Sequence, residues 1–174
     1  MKVCNIFVTG GCRSGKSGYA LAKANRIKGE QRIFLATSVP SDSEMENRVK
    51  AHKDERGDAW STVEEPEAVE ERIKEFKETA DVILVDCLTL WISNLLCSGY
   101  DEHRIKKRVE RLQTALCRPG CPAFLVSNEV GCGVVPENTL SRAFRDLAGY
   151  ANQQTAKTAD SVVWMVSGIP VEIK

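Results

Sequence analysis

Residues 10–17 read GGCRSGKS, a match to the pattern G-x-x-x-x-G-K-[ST]. The chemistry of such a stretch is phosphate binding. Glycines let the backbone curl so that its N–H groups point inward, and the helix that follows adds the partial positive charge of its N-terminus. Gly10, Gly11, Cys12, Arg13, Ser14 and Gly15 would form the cradle, Lys16 would reach the β- and γ-phosphates, and Ser17 would ligate Mg²⁺. A nucleoside triphosphate is the expected ligand. A second carboxylate on the metal side belongs at the end of another buried strand, and VILVD (82–86) delivers Asp86 there. An aspartate that merely caps the next helix is the alternative. The Asn-Lys-x-Asp motif of regulatory GTPases is missing, and DLAG (146–149) lies inside a helical pattern. A signalling GTPase is therefore disfavoured.

Two histidines are present, His52 and His103. His52 falls in a helical pattern over 41–56 that opens with Ser41-x-x-Glu44, a capping box. Met45 and Val49 mark its inward face, His52 leans the same way, and Arg48, Lys53 and Arg56 are near. Cations favour the neutral imidazole, the form that can attack phosphorus. Spacing alone still leaves His52 a structural or surface residue. His103, in DEHRIKK, reads as solvated. Two further stretches stand at strand ends, where sites gather in open α/β sheets: Ala36, Thr37 and Ser38, and the loop SNEVGCGVVPEN (127–138). The polar start of that loop, Asn128-Glu129, suits a substrate side, with an ordinary turn as the alternative.

These residues need elements to hold them. Apolar runs at 3–8, 32–37, 81–86, 123–128, 161–166 and 170–174 read as strands, most of them buried on both faces. Helical patterns lie between them at 16–27, 41–56, 66–78, 104–116 and 136–158, with a further one over CLTLWISNLL (87–96). Strand–helix alternation predicts an α/β fold with a mostly parallel sheet covered by helices, in one domain spanning 1–174. Only SGI (167–169) separates the last two strands, so a C-terminal antiparallel hairpin is expected. The five glutamates of 64–71, apart from Glu64, read as a solvated face.

With 174 residues the chain can build one real core. Lysine plus arginine and aspartate plus glutamate number 24 each, so no basic excess points to nucleic acid. No apolar run approaches a membrane span, and the apolar N-terminus ends at Gly10, too soon for a signal peptide. Seven cysteines without a Cys-x-x-Cys pair read as reduced, mostly buried residues of a cytoplasmic protein, without zinc-type ligand spacing.

The order VTGGCRSGKS, ATS, EMENRVKAHKDER, WSTVE, VILVDCLTLWISNLL, VSNEVGCGVVPEN and FRDLAGYANQQTAKTADSVVWMVSGIPVEIK covers nearly the whole chain. It resembles the bifunctional adenosylcobinamide kinase / adenosylcobinamide-phosphate guanylyltransferase family of cobalamin biosynthesis. The resemblance implies a P-loop, RecA-like sheet and a homotrimer. It implies phosphorylation of adenosylcobinamide by ATP or GTP, then transfer of GMP from GTP through a histidine to give adenosylcobinamide-GDP. The nucleophile's role carries to His52, reversing the reading from spacing. Nucleotide contacts carry to Gly10 through Ser17, Ala36 to Ser38, Lys53, Asp54, Glu55, Arg56, Glu64 and Asp86, with Lys16 catalytic and Ser17 and Asp86 on the Mg²⁺. Cys12 stands where a small residue such as alanine is usual. The competing readings are a P-loop small-molecule kinase without guanylyl transfer, and a nucleotide-switched binding module.

Overall fold

The computed structural model describes residues 5–39 and 57–174. The predicted helix over 41–56, and with it His52, Lys53, Asp54, Glu55 and Arg56, lies outside the described residues. The elements are β1 (Ile6–Gly10), α1 (Lys16–Ala24), β2 (Arg32–Ala36), β3 (Ser61–Glu64), α2 (Val69–Phe76), β4 (Val82–Asp86), α3 (Leu88–Cys97), α4 (Glu102–Leu116), β5 (Ala123–Asn128), α5 (Thr139–Thr158), β6 (Ser161–Val166) and β7 (Ile169–Glu172).

The strands form one sheet in the order β3-β2-β4-β5-β1-β6-β7. All neighbours are parallel except β6 and β7. The expected C-terminal hairpin is thus present, with a two-residue turn. Ser167 (φ 50°) and Gly168 (φ 85°) are both left-handed, the backbone of a turn whose twist matches that of the strands. Strand β3 was not expected. It is a short edge strand whose STVE residues are largely exposed, so it carries none of the continuous apolar character that betrays a central strand.

The two faces of the sheet are covered by different helices. Val8, Phe34, Leu84 and Val126 pack with Ala20 and Ala24 of α1. Phe7, Leu35, Val85 and Leu125 pack with residues of α2, α3, α4 and α5. In α4, Ile105, Val109, Leu112 and Leu116 recur at helical spacing, and all are buried. Full burial of such side chains is worth about 1.5–3 kcal/mol each. Asp101 caps this helix by accepting from the Arg104 N–H at 2.8 Å, and Asn138 caps α5 by accepting from the Ser141 N–H at 3.1 Å.

The glutamate run is not a solvated face throughout. Glu70 is only 3% exposed and pairs with Arg108 of α4. Glu65 accepts from the N–H groups of Glu67 and Ala68 at 3.1 and 2.7 Å and pairs with Arg72 at 3.2 Å. Counting charges along the chain missed both, because their partners come from the next turn or from another helix. The cysteines are also corrected: Cys12, Cys97, Cys117 and Cys132 are exposed, and of the six described only Cys87 and Cys121 are buried.

Behind the amino ends of the strands sits a buried amine. Lys77 donates to Asn5 Oδ1 at 2.8 Å, while Asn5 donates to Leu116 O at 2.9 Å and accepts from the Ala123 N–H at 3.2 Å. Burial lowers the Lys77 ammonium from its ordinary value. The group is structural, because it ties β1, α4 and β5 together at the end of the sheet remote from the glycine-rich loop.

Candidate active site

Strand β1 ends at Gly10 and α1 begins at Lys16, so the sequence motif occupies the strand-to-helix turn. At Gly10 a Cβ would lie 2.5 Å from Met165 O and 2.7 Å from Ser14 Oγ, so only glycine fits. Arg13 (φ 55°) and Gly15 (φ 87°) are left-handed. Lys16 is buried, and its Nζ donates to Gly11 O at 3.0 Å, folding back over the loop it would share with a phosphate. Ser14 Oγ is buried without a hydrogen-bond partner. No acidic residue stands in the first turn of α1, and no side chain caps it. Its N–H groups and dipole are therefore available to an anion. The loop is braced from the far side by Gly168, whose N–H donates to Ser14 O at 3.1 Å.

The register of the sheet assembles the rest. Glu64 on β3 lies opposite Ala36 on β2, and Ala36 lies opposite Asp86 on β4. Asp86 is opposite Val126 on β5, and two residues further on Asn128 is opposite Gly10. Alternation puts Glu64, Ala36, Asp86 and Asn128 on the face that carries α1. One row along the carboxyl edge thus runs from Glu64 to the phosphate loop. Ser17, in the first turn of α1, is half-buried, as is Asp86. The N-cap position of α3 is Cys87, one residue past Asp86.

The Ala36–Ser38 stretch divides. Ala36 and Thr37 are buried, and Ser38 is partly exposed. The Thr37 hydroxyl accepts from the Cys87 N–H at 2.7 Å and donates to Cys87 O at 2.8 Å. It is committed internally. Burial, with the Asp86 charge adding to it, pushes the Cys87 thiol up to about 11.

Sequence reasoning missed the polar groups of α3. Thr89 Oγ1 accepts from the Asn128 N–H at 2.6 Å and lies 3.0 Å from Ser127 Oγ. Asn152 of α5 donates to Asn128 O at 3.0 Å. Asn94 donates to Thr37 O at 2.8 Å and Pro66 O at 3.0 Å, and Trp91 Nε1 donates to Glu67 O at 2.7 Å. The available signal was Thr89 and Asn94, two of the three polar residues in the largely apolar helix LTLWISNLLC. The 127–138 loop is fixed at its base: the Glu129 N–H donates to Gly10 O at 2.9 Å, and Arg145 donates to Gly131 O at 2.8 Å.

A glycine-rich turn into an open helix N-terminus, an acidic residue two strands away and a parallel sheet define a P-loop nucleotide-binding enzyme. Solved structures share this fold. A protein from Pyrococcus horikoshii superposes with a TM-score of 0.58 at 10% identity, over 98% of this chain and 86% of that one. An ATPase from a bacterial type III secretion system gives 0.57 at 12% identity, over 94% of this chain and 51% of that one. Residues 6–173 match the family model described as cobinamide kinase / cobinamide phosphate guanyltransferase, and the chain belongs to that family. It is 41% identical to the bifunctional adenosylcobalamin biosynthesis protein CobU of Escherichia coli K12, over 97% of this chain and 99% of the relative. It is 38% identical to CobP of Pseudomonas aeruginosa, over 96% and 95%. The chain is thus a kinase and guanylyltransferase, as the motif order implied.

Proposed function

We propose that this enzyme phosphorylates the hydroxyl of adenosylcobinamide and then caps the resulting phosphate with GMP drawn from GTP through His52. The observation that carries the reading is the single row of Glu64, Ala36, Asp86 and the phosphate loop along one sheet edge. In the first reaction the substrate oxygen bonds to the γ-phosphorus of ATP or GTP. The bond to the nucleoside diphosphate breaks, and the hydroxyl proton is released to water. Lys16 and the N–H groups of the loop and α1 stabilise the charge that develops. In the second, the His52 imidazole bonds to the α-phosphorus of GTP and pyrophosphate leaves. The substrate phosphate then takes the GMP as the P–N bond breaks.

The hard oxygen donors of Ser17 and Asp86 suit Mg²⁺, which when bound neutralises phosphate charge. Glu64, Ala36 and Ser38 would contact the nucleotide beyond the phosphates, together with Lys53, Asp54, Glu55 and Arg56, with the fully buried Thr37 behind them. The family resemblance extends to a homotrimer. An exposed apolar face on the C-terminal hairpin (Trp164, Val166, Ile169, Val171 and Ile173) supports self-association.

The test is incubation with α-labelled GTP and Mg²⁺ followed by denaturation. Acid-labile, alkali-stable label on the chain, absent from His52→Ala while kinase turnover persists, is the expected result. Equal loss of both activities in that variant, or no label on the parent protein, would sink the covalent scheme.

A further inference from the structure

The polar residues around the start of α3 have no part in the chemistry above, yet they converge on one point. The chain leaves the sheet immediately after Asp86, where the β2–β4 ladder ends. There the Thr37 side chain takes over from the ladder. Its hydroxyl accepts from the Cys87 N–H at 2.7 Å and donates to Cys87 O at 2.8 Å, strapping both peptide units that flank Cys87. Thr37 is itself held. Its N–H donates to Asp86 O at 3.3 Å, and its carbonyl accepts from Asn94 at 2.8 Å. At 0% exposure its side chain cannot touch a nucleotide. Asn94 also holds Pro66 O at 3.0 Å, just past Glu64, so one side chain of α3 sets the ends of β2 and β3 together.

We infer that Thr37 is a positioning residue that aims the Asp86 carboxylate at the phosphate loop, with Asn94 fixing Thr37 in turn. The direction of an aspartate side chain at a strand end follows the backbone on both sides of it. Upstream, the ladder fixes that backbone. Downstream, the Thr37 hydroxyl does. A residue that orients a metal-side ligand in this way acts on metal affinity rather than on nucleotide contact. The inference rests on the reading of Asp86 as the Mg²⁺-side carboxylate.

The experiment is the Mg²⁺ dependence of adenosylcobinamide phosphorylation, together with calorimetric titration of Mg²⁺ into the enzyme–GDP complex, where the same shifts are read without turnover, for the parent enzyme, Asp86→Asn, Thr37→Val and Thr37→Ser. Valine keeps the shape and removes the hydroxyl, while serine keeps the hydroxyl. Thr37→Val is expected to raise the Mg²⁺ concentration for half-maximal rate about tenfold, with rate largely recovered at saturating Mg²⁺ and Thr37→Ser within about twofold of the parent. An unchanged Mg²⁺ dependence in Thr37→Val, or equal impairment of the serine variant, would overturn it. Should Thr37→Val not fold, Asn94→Leu frees Thr37 from α3 but leaves its hydroxyl in place. It is expected to shift the Mg²⁺ requirement in the same direction by about threefold, and no shift counts against the proposal. Asp86→Asn separates the two levels. If it leaves the Mg²⁺ dependence untouched, the assignment of Asp86 itself fails. If it shifts while Thr37→Val does not, only the strap fails.

Discussion

Cysteine chemistry distinguishes two neighbouring environments within the site. Cys12 is exposed on the phosphate loop, whereas Cys87 is buried at the start of α3 with its thiol raised to about 11. The thiolate is the reactive form, so at pH 8 iodoacetamide is expected to label Cys12 and to spare Cys87 until the chain unfolds. Saturating Mg·GTP should protect Cys12 but leave Cys97, Cys117 and Cys132 reactive. Peptide mapping by mass spectrometry checks this, and labelling of Cys12 that nucleotide does not slow would contradict the phosphate site. At this scale the turn of the loop was legible in the sequence, because eight consecutive residues carry its backbone. Thr37 was legible only as part of ATS. Its bonds to Cys87 span fifty residues and exist only once β2 and β4 are in register.

Helices α2 and α4 are joined by a pair whose cost depends on which partner is removed. Arg108 faces Glu70 and also donates to Glu67 O at 2.7 Å. Arg108→Met strands a buried carboxylate and is expected to cost about 3–5 kcal/mol in urea unfolding at neutral pH. Glu70→Gln should cost less, since it removes the charge together with its desolvation penalty. The pH dependence has a definite sign. Burial raises the Glu70 carboxyl above its ordinary value of 4.5, against the pull of Arg108. The folded state therefore holds the proton more tightly than the unfolded state. The stabilisation from this group is complete below 4.5 and is lost as pH rises through the folded value. Glu70→Gln should lack that slope, and stabilities at pH 4.5, 5.5 and 7 would show it. Apolar spacing revealed the helices themselves. Their polar contacts were hidden, because a glutamate in an acidic run looks the same whether or not an arginine from another helix meets it.

For the whole molecule, alternation of strands and helices was sufficient to give a mostly parallel sheet, and the short SGI gap its closing hairpin. The order of strands was not readable, since nothing local says that β5 lies between β1 and β4. The unexpected β3 matters most for the site, because it places Glu64 in line with Asp86. The hairpin presents Trp164 at 42% and Ile169 at 66% exposure on one face. Under the proposed self-association through this face, replacing both by serine is expected to lower the mass measured by light scattering to that of the protomer while the far-ultraviolet spectrum is kept. An unchanged mass would place the self-association surface elsewhere.

That same hairpin touches the phosphate loop, through the Gly168 N–H on Ser14 O and through Met165 of β6 against Gly10. Whatever steadies β6 and β7 therefore also steadies the cradle. Under the proposed self-association through the hairpin face, association and nucleotide capture are expected to be linked equilibria, each strengthening the other by the same factor. Diluting the enzyme should then weaken its apparent affinity for GTP, and raising GTP should shift dissociation of the assembly to lower protein concentration. Titrations at two enzyme concentrations that straddle the dissociation midpoint would measure that coupling directly.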